Sequence, residues 1–183
     1  MATRGRMECD YCHVEMSERR ATMAKPYRYD LSGLKDVCLA GIVVYECPKC
    51  GVVVPVIPRI AELHDVIARA LVKEPRPLRG DEIRFLRKAA ALPARKFASL
   101  LGVTPVHLSR IENGHRAKLG KAAERLARFI AIKARDGEDA RELFLQVADK
   151  LETEALKRTQ ADTSCFKLKR GSGWEPAQAE DAA

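Results

Sequence analysis

Four of the chain's six cysteines fall in two pairs, Cys9-Asp10-Tyr11-Cys12 and Cys47-Pro48-Lys49-Cys50-Gly51. A Cys-x-x-Cys pair closes into a tight knuckle whose two sulfurs point to one spot. Two knuckles supply four thiolates, the closed tetrahedral shell of a structural zinc ion. Cys9, Cys12, Cys47 and Cys50 are the expected ligands, and Zn2+ is expected as scaffold. A catalytic zinc keeps one position open for water and usually takes histidine or carboxylate ligands. No His-Glu-x-x-His or His-x-Glu pattern supports a hydrolase or deaminase, so the sequence does not read as an enzyme.

The other candidate ligands rank lower. His13 follows the first knuckle directly and could replace Cys12, but adjacency points it away from the site. Cys38, in Val37-Cys38-Leu39, reads as a small buried apolar residue. Cys165 reads as an uninvolved free thiol in the tail. The 34 residues between the knuckles leave room for an inserted strand pair.

Charge separates the chain into blocks. The net charge is +8, yet residues 76–135 alone hold fifteen basic and four acidic side chains. Residues 1–75 are nearly balanced and residues 136–183 are acidic. A basic excess confined to one block is the footprint of a polyanion binder, with a solvated helical face as the plainer reading. No run approaches the roughly 18 apolar residues that a membrane helix needs. No apolar leader precedes Cys9, and cysteines in knuckle spacing suit a reducing compartment, so a cytoplasmic protein is expected.

The elements that must carry these residues can be read from periodicity and turn chemistry. Residues 7–57 look β-rich, with Ile42-Val43-Val44-Tyr45 entering the second knuckle and Val52-Val53-Val54-Pro55-Val56 leaving it, so that the knuckle caps a hairpin. Ile60 to Val72 repeats with a helical period. The two prolines and the glycine of Lys73–Gly80 mark a linker. Short helices follow: one capped by Asp81, one over about 94–101, one begun by Thr104 and Pro105 and ended at Asn113-Gly114, and one over about 119–134. Residues 136–158 predict a further amphipathic helix, and the segment from 159 on predicts a disordered tail. The expected fold class is α+β. Residues 1–74 form a small zinc-binding domain, 75–135 an all-α domain of about five helices, 136–158 an additional helix, and 159–183 the tail.

Within the basic block, Ala98 is small where two helices must cross and Gly102 permits a sharp turn. Val103, Leu108 and Ile111 are spaced to pin the following helix. This leaves Thr104, Pro105, Val106, His107, Ser109 and Arg110 outward, the face that would enter a major groove. The block resembles the Xre (Cro/phage-repressor type) helix-turn-helix family, and Ser109-Arg110-Ile111-Glu112-Asn113-Gly114 is close to that family's most repeated string. The resemblance implies a DNA-binding domain, with Arg110 able to bridge to guanine or phosphate and with Arg95, Lys96, Arg116 and Lys118 at phosphate-contacting positions.

Zinc knuckles followed by such a domain resemble the MqsA/YgiT family of antitoxin-like regulators over about residues 7–134. The resemblance implies a zinc domain that holds a toxin protein and a DNA domain that dimerises and represses its own operon. The family's recognition arginine falls on Arg110. Its recognition asparagine falls on Val106, which cannot make the same hydrogen bonds, so the sequence preference must differ. The expected function is a sequence-specific DNA-binding transcriptional regulator acting on double-stranded DNA as a homodimer. The alternative is a protein-interaction module whose zinc domain binds a partner, with DNA binding secondary.

Overall fold

The computed structural model describes residues 7–115, 117–133, 164–169, 171 and 173–177. Five strands come first: β1 (Ser17–Arg20), β2 (Tyr27–Arg28), β3 (Val37–Ala40), β4 (Val43–Glu46) and β5 (Val53–Val56). Five helices follow: α1 (Ile60–Lys73), α2 (Gly80–Ala89), α3 (Ala94–Leu100), α4 (Pro105–Glu112) and α5 (Lys121–Lys133). Two more strands, β6 (Ser164–Lys169) and β7 (Gly173–Pro176), close the described chain. The fold is α+β, as the sequence predicts. Among the described residues no helix is long and apolar enough to cross a membrane.

The chain divides into two compact units. The first takes Met1–Tyr29, Asp36–Glu62 and Thr163–Ala183, and the second takes Asp30–Lys35 and Leu63–Asp162. The first unit holds two sheets, ordered β1-β4-β5 and β2-β3-β6-β7. β4 and β5 pair antiparallel, with Val43 opposite Val56 and Glu46 opposite Val53, so the second knuckle does cap a hairpin.

The tail differs from expectation. β6 pairs in parallel with β3, placing Cys165 opposite Cys38, and β7 pairs back on β6. Cys38 and Cys165 form a disulfide, so neither is a spectator thiol. Phe166 is buried, as is Trp174, whose indole N–H donates to the Pro58 carbonyl at 3.0 Å. The physical reason is that two alternating strands with an aromatic anchor can bury area on a distant sheet. A short polar composition hides this, because the partner strand lies 127 residues away in sequence. Residues 159–163 and the expected helix at 136–158 lie outside the described residues.

The second unit is helical, with Leu63, Ile67 and Leu71 of α1, Ile83 and Leu86 of α2, Phe97 of α3, Leu108 and Ile111 of α4, and Ala131 and Ile132 of α5 all buried. Its boundary does not fall in the proline segment expected to be a linker. One side chain explains why. Arg128 of α5 is fully buried. Its Nη1 donates to the carbonyls of Leu71, Val72 and Glu74 at 3.3, 3.0 and 2.7 Å. Its Nη2 donates to the Arg76 carbonyl at 2.7 Å and to Glu124 Oε1 at 2.9 Å. The last turn of a helix leaves carbonyls without partners, and here the guanidinium supplies the donors. Arg76 is buried as well and makes a two-pronged ion pair with Glu82, at 2.9 and 2.6 Å. The proline segment is thus bound to the helices. Asp81 is not the cap of α2. The N-cap is Arg79, whose backbone N–H donates to Glu82 Oε2 at 2.7 Å.

Two expectations follow. Removing one partner of a buried ion pair strands the other, typically at about 3–5 kcal/mol. Arg128→Met should therefore lower unfolding free energy by on the order of 3–5 kcal/mol in a urea titration. His64 of α1 stands edge-on to Phe85 at 5.6 Å, and burial lowers its pKa. The folded form then binds fewer protons than the unfolded form. Its contribution is complete above the unfolded value of about 6.5 and is lost as pH falls below it. The stability difference between the wild type and His64→Gln should shrink on acidification from about pH 7.5 to 5.5, measured on metal-loaded protein.

Candidate metal centre and nucleic-acid interface

The two knuckles are built alike. The Cys9 N–H donates to the Val14 carbonyl at 3.0 Å and the His13 N–H to the Cys9 carbonyl at 2.8 Å. In the second, the Cys47 N–H donates to the Val52 carbonyl at 2.9 Å and the Gly51 N–H to the Cys47 carbonyl at 3.0 Å. The fifth residue of each loop takes a left-handed conformation, with φ of 52° at His13 and 73° at Gly51. His13 is therefore the counterpart of Gly51, an exposed turn residue rather than a ligand. His13-Val14-Glu15 has a spacing that zinc deaminases use. Here the histidine is spent on the turn.

This geometry brings the Sγ atoms of Cys9, Cys12, Cys47 and Cys50 within 4.8 Å of one another, and Cys9 and Cys50 within 3.6 Å. A tetrahedral shell with Zn–S bonds of about 2.3 Å has sulfurs about 3.8 Å apart, so the four residues fit a zinc ion. Cys9 and Cys47 are buried, with Met16 beside them and Met7, Tyr45, Val52 and Val54 packed around. The backbone N–H groups of Cys50 and Lys49 point at the Cys47 sulfur and draw its pKa down to about 6. Cys12 is pushed up to about 12, first by its hydrogen bond with the Cys50 sulfur and then by burial. Burial raises Cys9 as well. Without a cation the cluster favours few thiolates, and a divalent ion that takes all four must displace protons.

The second candidate site lies on α4. Thr104 caps it, its Oγ1 accepting the His107 N–H at 3.1 Å, and Pro105 occupies the first turn. Leu108 and Ile111 are buried, which turns Thr104, Pro105, Val106, Ser109 and Arg110 outward and leaves His107 half-buried. Arg95 and Lys96 are exposed in the first turn of α3, and Lys118 is exposed in the loop before α5. Arg116 lies outside the described residues.

The scaffold behind α4 includes residues that motif reading passes over. Arg87 of α2 grips Glu112 with Nε and Nη2 at 2.7 and 2.8 Å. The hydrogen bond with Glu112 holds the Arg87 pKa above its usual value. Arg84 bonds to Asn113 Oδ1, and Asn113 Nδ2 donates to Ser109 Oγ at 3.2 Å. A Cβ on Gly80 would stand 1.8 Å from the Ile111 carbonyl oxygen, so only glycine lets α2 start against the end of α4. Glu112 is the sole acid on α4, and that was the available signal for a structural ion pair.

Charge is sorted by the fold. The four carboxylates of residues 76–135 all pair with arginines: Glu82 with Arg76, Glu112 with Arg87 and Glu124 with Arg128 in buried or nearly buried pairs, and Asp81 with the half-exposed Arg79 at 3.4 Å. Among the described residues the four exposed cations Arg95, Lys96, Arg110 and Lys118 have no carboxylate partner.

Residues 83–136 match the helix-turn-helix family, a span that begins in α2 and runs through α5. No curated protein matches the chain. No solved structure matches it. The match supports a DNA-binding helix-turn-helix domain over that span. The four-cysteine cluster is able to bind a metal ion such as zinc.

Purified protein should carry a single equivalent of zinc, and Cys47→Ser should lose it on dialysis. Exhaustive chelation should expose residues 7–57 to protease, because the binding energy of a structural zinc, roughly 10 kcal/mol or more in small finger peptides, is folding energy. Unchanged protease resistance after metal removal, checked by elemental analysis, would refute a scaffolding ion.

Proposed function

We propose that this chain is a sequence-specific DNA-binding transcriptional regulator, with a structural zinc in its first unit, that acts as an antitoxin-like autorepressor. The observation that carries the reading is the division of charge in residues 76–135. Every carboxylate there is paired with an arginine, three of them buried and Asp81 half-buried, while Arg95, Lys96, Arg110 and Lys118 are exposed around a capped, amphipathic α4. Such a surface attracts phosphate and places a helix end at base edges.

In this reading α4 enters the major groove and Arg110 bonds to guanine. Arg95, Lys96, Arg116 and Lys118 hold the backbone. Thr104, Pro105, Val106, His107 and Ser109 complete the reading face. Two copies of the chain bind half-sites about 34–36 Å apart, one helical turn of duplex. The zinc unit is the part offered to a toxin partner, in keeping with the order of knuckles and helix-turn-helix that resembles MqsA/YgiT regulators.

Titration of the zinc-loaded chain against a duplex spanning its own promoter should give a retarded complex. Its affinity should fall with salt, with a log–log slope near −0.9 for each phosphate contact. Arg110→Ala should weaken specific binding by roughly 1–3 kcal/mol and leave non-specific binding nearly intact. Equal affinity for promoter and unrelated duplex, or an unaltered Arg110→Ala titration, would count against the sequence-reading role. Co-purification of the protein of an adjacent gene tests the toxin partner.

A further inference from the structure

The reading face of α4 contains one residue that does not suit open water. Val106 is 63% exposed on a helix whose other apolar side chains, Leu108 and Ile111, are buried. A β-branched residue gains nothing for an exposed helix, since it loses side-chain freedom there. Its polar neighbours make local hydrogen bonds. The Thr104 hydroxyl takes the His107 N–H, and the Ser109 hydroxyl takes the Asn113 amide, which is itself bonded to Arg84. Val106 and Arg110 are both exposed on this face. They stand four residues apart, one turn along the same stripe, with about 5–6 Å between their Cβ atoms. That spacing reaches base pairs one or two steps apart, at about 3.4 Å per step.

We infer that Val106 is a specificity-determining residue that packs its two methyl groups against the C5-methyl of a thymine, within two base pairs of the guanine read by Arg110. This rests on the DNA-reading function proposed above. The thymine methyl is the one apolar group on the major-groove edge of the four bases, so it is the partner an exposed aliphatic side chain selects there. The half-site then pairs an apolar contact with a charged one. A cytosine at that position offers an amino donor and no methyl, and the valine leaves that donor unsatisfied.

The test uses the full, zinc-loaded chain. Duplexes are selected from a random pool, and each thymine of the enriched sequence is replaced in turn by deoxyuridine, which removes the methyl and nothing else. One thymine per half-site should show about a fourfold loss of affinity, the effect of one buried methyl-sized group. In Val106→Ser that loss should vanish, while the Arg110→Ala protein should keep it. Val106 is exposed, so the serine variant should retain the wild-type thermal unfolding curve. An enriched duplex with no methyl-sensitive thymine overturns the inference, as does a sensitivity that survives in Val106→Ser. If no duplex is enriched, the DNA-reading function falls and this inference with it. If DNA is bound without the valine dependence, only this inference falls.

Discussion

A guanidinium in the dry interior organises the helical half of this protein. Stripping water from an arginine is costly, and the cost is offset only when its donors are met by well-placed acceptors. Arg128 meets four backbone carbonyls and one carboxylate. Those carbonyls belong to the end of α1 and the proline segment after it, so the same bonds fix where α2 begins. Once α2 is fixed, Gly80 can abut α4 and Arg87 can reach Glu112. The orientation of α4, and with it every outward side chain on it, descends from that chain of contacts.

The same network has an electrostatic consequence. Acids inside a basic block would ordinarily mute its attraction for phosphate. Here Glu82, Glu112 and Glu124 are buried, Asp81 is half-buried, and each is paired with an arginine. Structural arginines and surface arginines therefore do different work within one short stretch, a distinction that net charge does not reveal. The zinc unit handles its charge problem the other way. Its four sulfurs lie close enough together to hold a cation, and a bound ion would become part of the core.

Legibility in the sequence tracked the range of the interaction. The knuckles were readable because both ligands of a pair sit within one turn. The cap, the proline and the terminating Asn113-Gly114 of α4 were readable for the same reason. Arg128 was not singled out, although it lies on the stripe of Ala127, Ala131 and Ile132 with Glu124 one turn before it. An arginine on a buried stripe with an acid at that spacing is a usable sign of an internal ion pair. The C-terminal strands escaped because parallel pairing between β3 and β6 leaves no local trace, and Cys38 and Cys165 carry no spacing signature. The role of His13 became visible only from its backbone angle and its correspondence to Gly51.

The order in which the ribosome delivers the chain gives the β3–β6 pairing one more consequence. β3 is made early, whereas its parallel neighbour emerges only after α5. Through most of translation one flank of that strand is bare, with unmet N–H and C=O groups that could recruit another nascent copy. A premature stop codon between α5 and β6 would leave that flank bare for good. Such a product would retain α1 to α5 while presenting an unpaired strand edge to other copies.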